Sequence, residues 1–169
     1  MEKNNVILIG MPTSGKSTVG VILAKLMGMD FVDTDLLIQK REHRKLARII
    51  EEDGLDGFLN IENSVCQEVN LENTVIATGG SVVYGNDAMK NLSKDSIVVY
   101  LKLDYNKLRY RLGNIKNRGV VIREKQSLCS LYKERVPLYE KYADVIIEEN
   151  GCNIENTVSK IITEISISL

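Results

Sequence analysis

The chain of 169 residues has almost no charge imbalance, few cysteines, one histidine and two prolines. Its 22 lysines and arginines nearly cancel 23 acidic residues, leaving a formal net charge of −1. That balance gives no electrostatic footprint for nucleic acid or for an anionic membrane surface. The apolar run after Met1-Glu2-Lys3-Asn4-Asn5 is too short for a signal peptide or a membrane span. Cys66, Cys129 and Cys152 are odd in number, widely separated and without C-x-x-C spacing. They fit a reducing cytoplasm, where each serves as a small buried apolar residue. His43 stands in the charged run at 40–45 with no partner for acid–base work, and reads as solvated. No internal repeat, low-complexity segment or linker divides the chain. Residues 1–169 are therefore expected to form a single domain, long enough to bury a proper core. The 44% hydrophobic and 27% charged fractions are ordinary for a soluble globular protein.

What is present is organised around Gly10-Met11-Pro12-Thr13-Ser14-Gly15-Lys16-Ser17-Thr18, a match to G-x-x-x-x-G-K-[ST]. In such a loop backbone N–H groups wrap around nucleotide phosphates, and glycine lets bare backbone approach the anion. The residues from Pro12 to Thr18 are the candidate nucleotide contacts. Lys16 is placed to reach the β- and γ-phosphates, and the Ser17 hydroxyl to help hold Mg²⁺. The short pattern occurs by chance, so its setting matters. Val6-Ile7-Leu8-Ile9 reads as a buried strand just before it. Val19, Ile22, Leu23 and Leu26 then share a helical face, with Gly28 as the stop. The helix thus turns its unpaired N–H groups and positive dipole end towards the phosphates. A ligand-free glycine turn is the plain alternative, and strand, loop and helix together favour a bound nucleoside triphosphate.

Further strands are expected at 29–33, 74–77, 97–101 and 145–147, alternating with helical patterns that close in an amphipathic helix containing Val158, Ile161, Ile162 and Ile165. One helical stretch around Leu46, Ile49 and Ile50 stops at Asp53-Gly54, and a second runs from Phe58 to Val69. Alternating β and α segments with continuous apolar strands mean an α/β fold, a parallel sheet covered on both faces. Ligands of such sheets sit beyond the carboxyl ends of the strands. The phosphate loop, Asp33-Thr34-Asp35 and Thr78-Gly79-Gly80 all fall at such ends.

Asp33 and Asp35 have two readings. Either could cap the helix that follows. Phosphoryl transfer to an alcohol also needs one carboxylate to support Mg²⁺ and another to meet the acceptor hydroxyl. Gly79-Gly80 is an ordinary turn or a place where backbone approaches a ligand closely. Between Gly113 and Lys125 lie Lys116, Arg118 and Arg123, a solvated basic loop or a lid over the triphosphate. Arg135 could equally be a surface charge.

The phosphate loop, Asp33-Thr34-Asp35, Phe58-x-x-Ile61-Glu62, Thr78-Gly79-Gly80, the basic lid and Arg135-x-Pro137-Leu138-Tyr139 stand in the order found in shikimate kinases. The chain resembles that family over essentially its whole length. The resemblance implies a P-loop, nucleoside-monophosphate-kinase-like three-layer fold with five parallel strands ordered 2-3-1-4-5. It also implies transfer of the ATP γ-phosphate to the 3-hydroxyl of shikimate, with Mg²⁺, by a cytoplasmic monomer in aromatic amino-acid biosynthesis. Carried over by motif, Lys16 and Ser17 serve phosphate and metal, and Asp33 supports Mg²⁺. Asp35 meets the acceptor hydroxyl, Gly79 and Gly80 lie along the substrate, and Arg118 reaches the phosphates from the lid. Arg111 lies beside adenine, Arg135 holds the substrate carboxylate, and Leu46, Ile50 and Phe58 form the apolar wall.

Three positions depart from the family pattern. Leu59 replaces the arginine that clamps the shikimate carboxylate together with the second arginine, Ser81 replaces a glycine, and Gly119 a proline. A charge-assisted hydrogen bond to a carboxylate contributes roughly 1.5–3 kcal/mol, about 10- to 150-fold in affinity. Arg48 is two residues from both Leu46 and Ile50, which on a helix turns it to the opposite face, towards solvent. Arg44 aligns with a family arginine and adds no charge. A shikimate kinase, a related kinase of another small polyol, and a nucleotide-dependent switch without a metabolic acceptor therefore all stay open.

Overall fold

A strand that is apolar on both alternating faces is stable only when covered above and below. Val6-Ile7-Leu8-Ile9 lies within β1 (Asn5–Ile9), buried at every position in the middle of a five-stranded sheet. The computed structural model describes residues 3–113, 122–123, 126–149 and 153–168. The other strands are β2 (Asp30–Asp33), β3 (Thr74–Ala77), β4 (Ser96–Lys102) and β5 (Val145–Glu148). The order is β2-β3-β1-β4-β5, and every pairing is parallel.

Alternation along the strands feeds two cores. Ile7, Ile9, Ile76, Val98 and Tyr100 point into one. Its helical side comes from α4 (Asn86–Lys94), α5 (Tyr105–Gly113) and α6 (Leu128–Tyr142), through Met89, Leu92, Leu108, Leu131 and Tyr139. Val6, Leu8, Val75, Ile97 and Val99 point into the other. There α1 (Lys16–Met27) and α7 (Ile154–Ser168) supply Val19, Leu23, Val158 and Ile161. A third, smaller cluster joins α2 (Thr34–Glu42) to α3 (Leu46–Gln67) through Ile38, Ile49, Phe58 and Val65. The layers and strand order are those the family resemblance implies. Among the described residues, no helix is long and apolar enough to cross a membrane.

The expected break at Asp53-Gly54 is present as a kink, not as the end of an element. Gly54 has φ 72° and ψ 179° between two helical halves of α3, and a left-handed φ of this kind is one glycine adopts cheaply. The kink lets Leu46 in the first half and Phe58 in the second face the same hollow. The residues after β1, β2 and β3 meet at one end of the sheet, and that end carries the site.

Candidate active site

Gly15 caps α1 with φ 92°, and the loop from Gly10 returns over the end of β1. Lys16 is the first residue of α1 and is buried. Its ammonium donates to the carbonyls of Gly10 and Met11, each at 2.9 Å, and lies 3.4 Å from Ser14 Oγ. Burial lowers its pKa to about 8, while Asp35, Asp33 and Glu62 oppose the shift. The first turn of α1 and the loop line a hollow of about 360 Å³, including Pro12, Thr13, Ser17 and Thr18. Arg111 in α5 donates to the Thr13 carbonyl at 2.8 Å, which places it at the rim of the loop.

The two readings of Asp33 turn out not to compete. Its Oδ1 accepts the Asp35 N–H at 2.9 Å and caps α2, while Oδ2 accepts the Ser17 hydroxyl at 2.6 Å. Ser17 and Asp33 thus form a paired set of hard oxygen donors. This suits Mg²⁺, which takes one or two protein oxygens and completes its shell with phosphate and water. Among the described residues, no cluster of three or more His, Cys, Asp or Glu forms an all-protein metal cage.

Asp35 sits in the first turn of α2, half-buried. Burial, and then the neighbouring Asp33, push its carboxyl up to about 6, against the pull of Lys16. Thr34, between the two aspartates, is buried, and its hydroxyl accepts the Gly79 N–H at 3.2 Å. Thr78 donates twice to the Leu8 carbonyl, through its N–H at 3.2 Å and its hydroxyl at 2.9 Å. The turn after β3 is thereby fixed to both β1 and α2.

The glycines of that turn are required by what crowds them. A Cβ on Gly79 would collide with Glu62 Oε1 and stand 2.9 Å from Asp35 Oδ1. One on Gly80 would stand 2.9 Å from Pro12 and 3.2 Å from Arg135 Nη1. The Tyr139 hydroxyl donates to the Gly80 carbonyl, which ties the Arg135-x-Pro137-Leu138-Tyr139 segment to the turn. A smaller hollow, sharing Pro12, Asp35, Gly79 and Gly80 with the larger one, extends to Phe58, Glu62 and Arg135. Arg135 is 1% exposed, so its guanidinium belongs to the interior of this region and not to the surface.

The structure thus brings Lys16, Ser17, Asp33, Asp35, Gly79, Gly80, Phe58 and Arg135 into one region. Arg118 and most of the lid segment lie outside the described residues. Leu59 is half-buried against the α2–α3 cluster and lines a neighbouring hollow of about 250 Å³ with Glu62, Ser81 and Tyr84. The nearby cations do not replace it. Arg44 pairs with Glu42, Glu52 and Asp53. Arg48 pairs with Glu52 at 2.6 Å and is 67% exposed, on the solvent side that its helical spacing predicts.

In the sequence Glu62 stands out only as the last residue of Phe58-x-x-Ile61-Glu62. Its signal was position: four residues after Phe58 and three before Val65, it puts a carboxylate in the apolar stripe of α3. It is 1% exposed, and among the described residues its Oε1 has no hydrogen-bond partner. Burial pushes its carboxyl up to about 7, with Asp35 adding to the rise and a Ser81 hydrogen bond and Arg135 opposing it. The folded chain therefore holds this proton at pH values where the unfolded chain, near 4.5, has released it. Stability must then fall as pH rises through that window, by about 3 kcal/mol at the most. Glu62→Gln removes the penalty. Calorimetry is expected to show a Tm several degrees above wild type at about pH 8, with the gap closing near pH 4.5. A lower Tm at the higher pH would show that the ionised carboxylate is well compensated.

A family model described as shikimate kinase matches residues 12–166. A shikimate kinase of Clostridium botulinum (strain Eklund 17B / Type B) is 34% identical over 160 residues, covering 94% of this chain and 95% of the relative. One from Thermodesulfovibrio yellowstonii is 36% identical over 163 residues, covering 95% and 94%. Among solved structures, the shikimate kinase of Acinetobacter baumannii in complex with shikimate superimposes with a TM-score of 0.89 at 33% identity, covering 98% of this chain and 94% of that one.

Proposed function

This chain belongs to the shikimate kinase family, and from that premise we propose that it transfers the γ-phosphoryl group of ATP to the 3-hydroxyl of shikimate, in aromatic amino-acid biosynthesis. The observation that carries the proposal is the shared wall between the phosphate-loop hollow and the hollow reaching Arg135, with Asp35 in both. The loop N–H groups and Lys16 hold the β- and γ-phosphates, and Arg135 holds the carboxylate of the acceptor. Asp35 orients the hydroxyl and accepts its proton. The new O–P bond forms on the acceptor oxygen as the bond from the γ-phosphorus to the bridging oxygen breaks, and ADP leaves with that electron pair. Ser17 and Asp33 would hold Mg²⁺, which when bound would neutralise phosphate charge. Arg118 on the phosphates, Arg111 beside adenine, a single-domain cytoplasmic monomer, and a partner set without nucleic acid or membrane belong to the same proposal.

One observation favours a second acceptor. At the position where the family pattern puts a guanidinium, Leu59 presents an apolar side chain to the hollow beside the acceptor site, which suits a neutral polyol better than a carboxylate. An ADP-release screen with shikimate, quinate and neutral polyols side by side decides between them, and a nucleotide switch would ignore every acceptor. For shikimate, Leu59→Arg is expected to lower KM roughly tenfold or more while kcat is retained, since the added bond is made equally in ground and transition states. An unchanged or worse kcat/KM in that variant would assign the site to another acceptor.

A further inference from the structure

With Leu59 in place, the acceptor's carboxylate depends on Arg135, and a single long side chain serves as a clamp only if something fixes it. Tyr84, at the end of the 3₁₀ turn Val82–Tyr84 that follows Gly79-Gly80-Ser81, does so. Arg135 Nε donates to the Tyr84 hydroxyl oxygen at 3.2 Å, and the guanidinium carbon lies 5.1 Å from the centre of the tyrosine ring. The Tyr84 hydroxyl in turn donates to Glu134 Oε1 at 2.6 Å. Glu134 Oε2 accepts from Gln126 Nε2, also at 2.6 Å.

The direction of these bonds is what matters. A tyrosine hydroxyl has one proton and two lone pairs. Glu134 takes the proton, so the lone pairs are left for Arg135 Nε, and the hydroxyl cannot turn its hydrogen against the cation. With the Nε edge held by Tyr84, and a further hydrogen bond to the Tyr139 hydroxyl, the guanidinium plane is set and Nη1 lies against Gly80, on the side of the acceptor hollow. An arginine fork held in one orientation loses less freedom on gripping a carboxylate than a loose one.

We infer that Tyr84 is a positioning residue that sets acceptor specificity: anchored by Glu134, it holds Arg135 so that one guanidinium serves where the family pattern has two. This rests on the reading that shikimate, or another carboxylate-bearing polyol, is the acceptor. Tyr84 does not touch the reacting atoms. Its contribution is to the binding of the carboxylate.

Tyr84→Phe keeps the ring beside the guanidinium and removes both hydroxyl bonds, so the fold is expected to survive. For shikimate, KM is expected to rise roughly tenfold with kcat and the KM for ATP unchanged. For shikimate methyl ester, which has no carboxylate, the same substitution should leave KM unchanged. Placed in a Leu59→Arg background, Tyr84→Phe should change the shikimate KM by less than about twofold, because a second cation then shares the load. An equal loss in both backgrounds, or an equal loss for acid and ester, would reduce Tyr84 to support of the fold and overturn the inference. An unchanged shikimate KM in Tyr84→Phe would overturn it too, leaving the acceptor assignment intact. A wild-type protein that does not turn over shikimate, or any polyol with a carboxylate, would instead defeat the acceptor assignment and the inference with it.

Discussion

Lys16→Ala is expected to abolish phosphoryl transfer and to weaken ATP binding, with acceptor binding retained. The ammonium sits under the loop in a buried position, bonded to the Gly10 and Met11 carbonyls. With its pKa at about 8, it remains mostly charged at neutral pH and becomes neutral above that value. A triphosphate brings several negative oxygens to this point, and the cation meets charge that grows on the transferring group. Fixed charges of this kind are worth about 10²–10³-fold in kcat. Alanine also strips the buried Gly10 carbonyl of this donor, which costs about 1–3 kcal/mol if it is left unsatisfied, while the Met11 carbonyl keeps the Ser14 N–H at 3.1 Å. Thermal melts must therefore accompany the kinetics. ADP release and calorimetric titration with ATP check the claim, and a kcat within tenfold of wild type would show that the loop N–H groups suffice.

Asp35→Asn is expected to lower kcat by about 10³-fold while ATP affinity stays within about twofold, the contrast that separates acceptor activation from nucleotide binding. Asparagine keeps the size of the side chain and its place beside Gly79 but cannot take a proton. The wild-type profile carries the same information. Burial sets the Asp35 carboxyl at about 6, so it is ionised at neutral pH and able to accept a proton from the hydroxyl. As pH falls through that value the base fills, and kcat/KM should drop tenfold per pH unit, the limiting slope for one required ionisation. The Lys16 ammonium loses its proton on the other side, so the profile falls again above about 8. In Asp35→Asn the acid limb is expected to vanish. An acid limb that survives the substitution would place the base elsewhere.

Much of the fold was legible because it is written in short-range patterns. Val6-Ile7-Leu8-Ile9 and Ile97-Val98-Val99-Tyr100-Leu101 are apolar on both faces, which only a strand inside a covered parallel sheet can use. Asp53-Gly54 announced a helix break, and Gly54 supplies the left-handed φ that makes it a kink. The stretch at 86–94 carries little helical signal, because α4 has only Ala88, Met89 and Leu92 as buried contacts amid polar residues. Its helicity is fixed by packing on α3 and β4, which no local window contains.

In the candidate site, residues held within a motif could be read, and residues that act through distant partners could not. Lys16, Ser17, Asp33 and Asp35 belong to two compact stretches. Tyr84 meets Glu134 across 50 residues of sequence, and Glu62 meets Ser81 only after α3 has folded back over the turn. Sequence leaves capping and metal support at Asp33 as alternatives because it shows one carboxylate, whereas the two oxygens are engaged separately.

That division of labour makes Asp33 a clasp between the starts of α1 and α2. A displacement of Ser17 is transmitted through a single rigid carboxylate to the backbone amide of Asp35, so in the proposed reaction the nucleotide half and the alcohol half are mechanically joined across two hydrogen bonds. Replacing Asp33 is consequently expected to disturb both the proposed ion site and the aim of the Asp35 side chain, so a loss of activity there would not belong to the ion alone. Asparagine, which preserves an acceptor for the amide while discarding the charge, separates the two.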